Sequence, residues 1–192
     1  MTPQAFLSLA LQTIMAPRDV ARLLLSLNLG KDAVLTAFAL VVALNAFVFQ
    51  LTLIVSPTPG VAGILAMPVA FAGIQAIVLG ATIAAITWCG QAMGGTATMT
   101  QVAVLLTWLQ ALRVAVQAGL LLILPLSNYL AGMVMFVASA LGLWILVHFI
   151  DEAHGFGRIG KAALVLLLAV TGMVLGLSMI LSLSGATVTG MN

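Results

Sequence analysis

The sequence predicts an all-α integral membrane protein: a bundle of five transmembrane helices preceded by a short N-terminal amphipathic helix on the cytosolic side. Three observations predict it. Of the 192 residues, 64% are hydrophobic and only 5% are charged, where soluble domains carry roughly 25% charged residues; mean hydropathy is +1.30. The apolar residues fall in continuous runs of about 20, long enough to cross hydrocarbon as helices. A membrane barrel needs short alternating segments instead, and backbone in lipid must satisfy its hydrogen bonds internally, so helices are the outcome. Lastly, the basic side chains collect on one side of these runs.

Residues 1–32 form a cytosolic segment. It opens on an apolar stretch, MTPQAFLSLALQTIMAPR, which lacks the basic n-region of a cleaved signal. PRDVARLLLSLNLG then predicts a short helix: Pro17 suits a first helical position, Asp19 the N-terminal dipole and Gly30 the exit. Val20, Leu23, Leu24 and Leu27 share one face, so the helix either lies in the interface plane or packs on its own bundle. The membrane domain, 33–184, holds five spans: 33–55, 62–88, 101–124, 129–150 and 161–183. SPTPG ends the first span, the break GQAMGGTATMT the second and Pro125 the third, with Trp88 and Tyr129 as interfacial residues. Residues 185–192 form a short outer tail.

Counting loops alternately places Arg18, Arg22, Lys31, Arg158 and Lys161 on one side, and no basic residue on the side of SPTPG, PLSN and SGATVTGMN. Basic residues stay cytoplasmic. The expected topology has a cytoplasmic N-terminus and an outer C-terminus, in a bacterial inner membrane. The net charge of +2 is too small to suggest nucleic acid, and one cysteine, Cys89, excludes an internal disulfide. No interhelical loop is long enough for a catalytic module.

DEAHGFGRIGKAA, residues 151–163, imitates several sites at once. Gly155, Gly157 and Gly160 spell GxGxxG, and Gly155 to Lys161 spell GxxxxGK. A dinucleotide fingerprint needs a preceding strand in a βαβ unit, whereas WILVHFI ends a membrane helix. A P-loop needs Ser or Thr after the lysine, and position 162 is alanine. The stretch is therefore expected to be a cytosolic turn, with Asp151 and Glu152 in water, and no nucleotide is assigned. His148 and Glu152, four apart, together with Asp151 and His154, suggest a metal only weakly, because the chain has two histidines in all. No metal, cofactor or catalytic residue is assigned.

Arg113 falls near the middle of the third span, with Gln110 and Gln117 at helical spacing on its face. Arginine at the bilayer centre costs about 2.5–3.5 kcal/mol on insertion scales, so it is expected to face the bundle interior or a wet cavity, or else to snorkel. With Asn45, Gln50 and Gln75 it forms the candidate intramembrane polar site. Gly172 with Gly176, and Ala138 with Gly142, repeat the small-xxx-small spacing that lets helices approach, within the bundle or in a homo-oligomer. Ten scattered methionines suit adaptable packing better than a copper route.

From about Pro17 to Ser184 the chain resembles the Yip family, the Ypt/Rab-interacting protein domain family, in its small bacterial five-span form. The likeness rests on the short N-terminal helix, the break MGGTATM and the junction LWILVHFI…HGFGRIGKAALVLLL, with its H-G-x-x-R-x-x-K-A turn. For eukaryotic members the resemblance implies organisation or trafficking of membranes through small GTPases. The DLYGP and GYGYS motifs of those members do not occur in these 192 residues. The expectation is thus a non-catalytic, organisational membrane protein that binds lipids or other membrane proteins, as an accessory subunit of a larger complex. The alternative is a small transporter or channel built on Arg113 and the amides.

Overall fold

Apolar runs interrupted by glycine and proline leave the backbone one solution in lipid, and the chain takes it. The computed structural model describes residues 3–56 and 67–183, and every regular element among them is an α-helix. In chain order these are α1 (Pro3–Met15), α2 (Pro17–Ser26), α3 (Lys31–Val55), α4 (Pro68–Ala92), α5 (Met99–Ile123), α6 (Asn128–His154) and α7 (Ile159–Leu183). The last five are each long and apolar enough to cross a membrane. SPTPG beyond Ser56, the predicted start of the second span at 62–66 and the tail SGATVTGMN lie outside the described residues.

Helix ends follow local chemistry. Thr98 caps α5 with a reciprocal box: its Oγ1 accepts the Gln101 N–H at 3.3 Å, and Gln101 Oε1 accepts the Thr98 N–H at 2.9 Å. Ser127 caps α6 through the Leu130 N–H. At its far end α6 runs past the expected exit and takes in all of Asp151–His154, so DEAH is a last helical turn rather than a loop. The helix stops only where Gly155 adopts φ 66°, a left-handed conformation that costs glycine nothing. The carboxylates remain helical because partners on α2 neutralise them, as described below.

The five long helices close a ring in the order α3, α4, α7, α6, α5, and α4 also meets α5 and α6 across it. In lipid no hydrophobic drive separates one apolar helix from another, so close packing and interhelical polar bonds decide the arrangement. The fully buried side chains concentrate toward one end: Ile86 on α4, Val102 and Leu105 on α5, Phe149 and Ile150 on α6, and Val165 on α7. The space among Ile86, Val102, Leu105, Phe149 and Ile150 has no room for a water molecule.

The N-terminal segment differs from expectation in its helix count, and it takes one of the two arrangements left open for α2. It contains two helices, not one, because the uncharged stretch before Pro17 folds as α1. And α2 packs on the bundle, against α5 and α6, burying Val20, Ala21 and Leu24. Of its predicted apolar face, Leu23 and Leu27 point outward instead. α1 adds a polar anchor: Trp108 Nε1 on α5 donates to Thr13 Oγ1 at 3.1 Å, and Phe6 meets the same indole edge-on at 5.4 Å.

The glycine pairs do not behave as packing seams of this bundle. Gly172 and Gly176 are exposed, and a Cβ on either would meet nothing within 4 Å. Ala138 and Gly142 are half-buried, but Gly142 likewise has open space where its side chain would be. The close approaches are made by other glycines.

Candidate functional site at the charged end of the bundle

All four acidic side chains and five of the six basic ones belong to α2, the start of α3, and the α6–α7 junction. There Arg18 and Arg22 of α2 close on Asp151 and Glu152 of α6 as a clasp. Asp151, only 2% exposed, accepts Arg18 Nη2 at 2.6 Å and the Arg158 backbone N–H at 2.9 Å. One turn-edge away, Glu152 Oε1 accepts Arg22 Nε at 2.9 Å, and Arg22 also lies 3.6 Å from Asp19. The two pairs differ in weight. Asp151 is shut from water and tied twice, whereas Arg22 is well exposed, and exposed pairs contribute under about 1 kcal/mol. The expectation that Asp151 simply sits in water is corrected: it is the buried pin that holds α2 to α6.

A 260 Å³ cleft opens beside the clasp, lined by Arg18, Arg22, Asp151, Glu152, Gly155 and Gly157. Its cations already face carboxylates, so it offers no free positive field to a phosphate. The GxGxxG glycines instead shape the turn: Gly155 and Gly157 take φ 66° and 62°, and Gly160 is inside α7. Lys161, expected only to set topology, also places its ammonium 5.6 Å from the centre of the Phe156 ring. Lys31 and the Arg158 side chain are exposed.

Next to the clasp lies a histidine wedge. His154 is 2% exposed, its Nδ1 is 3.1 Å from the Ile150 carbonyl, and its ring stacks on Phe156 at 5.2 Å. A carbonyl only accepts, so Nδ1 carries the proton of that bond. Gly90 near the end of α4 and Gly95 in the following loop both approach the ring closely. A Cβ at Gly90 would fall within 2.6 Å of three ring atoms, and one at Gly95 would lie 2.7 Å from the His154 Cβ. The Thr96 N–H donates to the His154 carbonyl at 3.3 Å. Among the described residues no three His, Cys, Asp or Glu side chains converge as metal ligands. His148 Nδ1, 2.8 Å from the Trp144 carbonyl, is tied within its own helix.

The break MGGTATM and the H-G-x-x-R-x-x-K-A turn, sixty residues apart in the chain, therefore form one packed unit. A family model described as Yip1 domain matches residues 11–180. The chain belongs to the Yip1 domain family. Comparison with curated proteins and with solved structures finds no match. The Yip1 domain begins within α1 and ends within α7, so it takes in the clasp, the wedge and all five spans.

The intramembrane residues of this Yip1 domain separate into two groups. Asn45 on α3, 4% exposed, donates to Gln117 Oε1 on α5 at 3.4 Å. Gln110 and Gln50 are half-buried, and each keeps one buried amide atom without a partner, Oε1 and Nε2 respectively. Gln75 on α4 is half-buried. Arg113 does not join them: it is exposed on the outer surface of α5 and makes no hydrogen bond or ion pair with any described residue. Periodicity placed it on the Gln110–Gln117 face. It could not say that this face is the rim of the α3–α5 seam rather than its middle. The sequence left Thr13 unmarked, its one signal being Trp108, an indole N–H inside a span that needs an acceptor; Gly90 and Gly95 were marked only as part of the break GQAMGGTATMT.

Proposed function

We propose that this Yip1 domain protein is a non-catalytic membrane organiser, an accessory subunit that binds other membrane proteins and lipids. Its setting in this reading is a bacterial inner membrane, with the charged end cytoplasmic and the C-terminus outside. One observation carries the reading. The clasp holds α2 and the Trp108–Thr13 bond holds α1 against the bundle as a collar, and the collar's free face is apolar, with Leu7, Leu11, Met15, Leu23 and Leu27 all exposed. A collar that buries one apolar face on its own bundle and offers a second is suited to lie in the membrane interface and to contact neighbours there. A transporter or channel on Arg113 and the amides is the weaker reading, since Asn45 and Gln117 bond to each other across the α3–α5 seam and Arg113 is exposed on the outside of α5.

Gentle extraction from native membranes tests the proposal. A stoichiometric membrane partner, with no solute movement by the purified protein in liposomes, is the expected result. Solute flux abolished by Arg113→Ala, with no partner recovered, would overturn it. Orientation has its own check in a Cys89→Ala background. Lys31→Cys should react with an impermeant thiol reagent only after the membrane is opened, and Leu126→Cys should react from outside.

A further inference from the structure

Arg113 is the one charged side chain that lies away from the charged end. It lies about 21 Å along α5 from Met99 and about 15 Å from Ile123, so it sits within the roughly 30 Å of hydrocarbon that this span crosses. It is exposed there, with neither an ion pair nor a hydrogen bond to the described chain. Gln110, the nearest acceptor on its face, keeps its Oε1 buried and unpartnered, so the guanidinium does not use it. A cation in hydrocarbon needs a counter-group, and three sources are open to it.

A second copy of the chain has no carboxylate to give, because Asp19, Asp32, Asp151 and Glu152 are all at the charged end. A lipid phosphate is poorly placed. Side chains on a helix leave the backbone tilted toward its N-terminus, which for Arg113 is the direction of the more distant boundary, some 21 Å away. The remaining source is an acidic side chain at the same depth on another protein. Resting on the organisational reading above, we propose that the outer face of α5 around Arg113 docks a transmembrane helix of a different protein. That helix carries an aspartate or glutamate near the middle of its span, and the pair forms where neither charge alone is tolerated.

A photo-reactive benzophenone residue at position 116, one turn beyond Arg113 on the same face and itself 37% exposed as valine, tests this in native membranes. The expected cross-link is to a span containing a carboxylate. Arg113→Gln should lower its yield at least tenfold, Arg113→Lys should keep most of it, and amidating the partner's acid should lower it as Arg113→Gln does. Cross-links only to lipid, to a second copy or to a span without an acid would overturn the proposal, as would a yield within twofold in Arg113→Gln. A partner that co-purifies equally with wild type and Arg113→Gln would remove this site and leave the organisational reading standing. Absence of both partner and cross-link would remove both.

Discussion

Gly90→Ala should destabilise the protein, although helix propensity alone favours the change. Alanine in a helix interior is preferred over glycine by about 1 kcal/mol, and Gly90 lies inside α4. Against this, the new methyl would overlap the His154 imidazole within 2.6 Å of three of its ring atoms. The ring has nowhere to go: its Nδ1 is engaged by the Ile150 carbonyl, Phe156 covers one side, and the residue is 2% exposed. Overpacking of this kind costs typically 1–3 kcal/mol, and such full overlap belongs at the top of that range. The net loss is about 2 kcal/mol, or a drop of about 4–8 °C in Tm for a chain of this size. Tryptophan fluorescence melting in detergent measures it. Gly80→Ala on the same helix, where a Cβ meets nothing within 4 Å, should be neutral or stabilising. In a His154→Ala background the sign should reverse, since the obstacle is gone and only propensity remains. Gly90→Ala that melts no lower than wild type, or that costs the same with and without the imidazole, would refute the wedge.

The remaining expectations concern the clasp, the collar and the outer face of α7. Asp151→Asn leaves Arg18 facing a neutral amide; breaking a buried pair costs 3–5 kcal/mol, and the half-exposed arginine reduces this to about 2. Limited proteolysis between α2 and α3 should therefore quicken in Asp151→Asn and change little in Glu152→Gln. Trp108→Phe keeps the ring near Phe6 and removes the bond to Thr13, so α1 should lose about 1 kcal/mol of local protection, read as faster amide exchange over residues 5–15. Gly172→Ala and Gly176→Ala should leave the melting temperature of the isolated bundle unchanged or slightly higher, because open space surrounds both.

These expectations also mark what the sequence could reveal. The five spans were legible because continuous apolar runs have one meaning in lipid, and every observed span overlaps its predicted range. The helix ends were less so. DEAH reads as a loop if charges are assumed to seek water; it is helical because Arg18 and Arg22, 133 and 130 residues earlier, meet Asp151 and Glu152 first. No local rule holds that information. The same limit explains the glycines. GxxxG in α7 has the spacing of a packing motif and packs nothing here, while Gly90 and Gly95, in no recognised spacing, make the tightest approaches among the described glycines. Spacing tells which residues share a face, and only the neighbouring helix tells whether that face is covered.

Arg113 shows why that distinction matters for function. Its cost in hydrocarbon is legible from sequence alone, and cost implies a partner of some kind. Turned inward, it would have implied a polar path through the bundle, with the amides as its continuation. Turned outward and left unpaired, it supports the proposal that its partner is a different molecule. The difference between a conduit and a docking face rests on rotation of one side chain about the axis of α5. That rotation is fixed by which residues fill the α3–α5 seam: Val114, beside Arg113 in the chain, is buried there against Val41 and Val48. With Val114 committed to the seam, the turn of about 100° per residue carries its neighbour off it, and there Arg113 is exposed. The apolar packing of three valines thus sets the orientation of the single intramembrane charge.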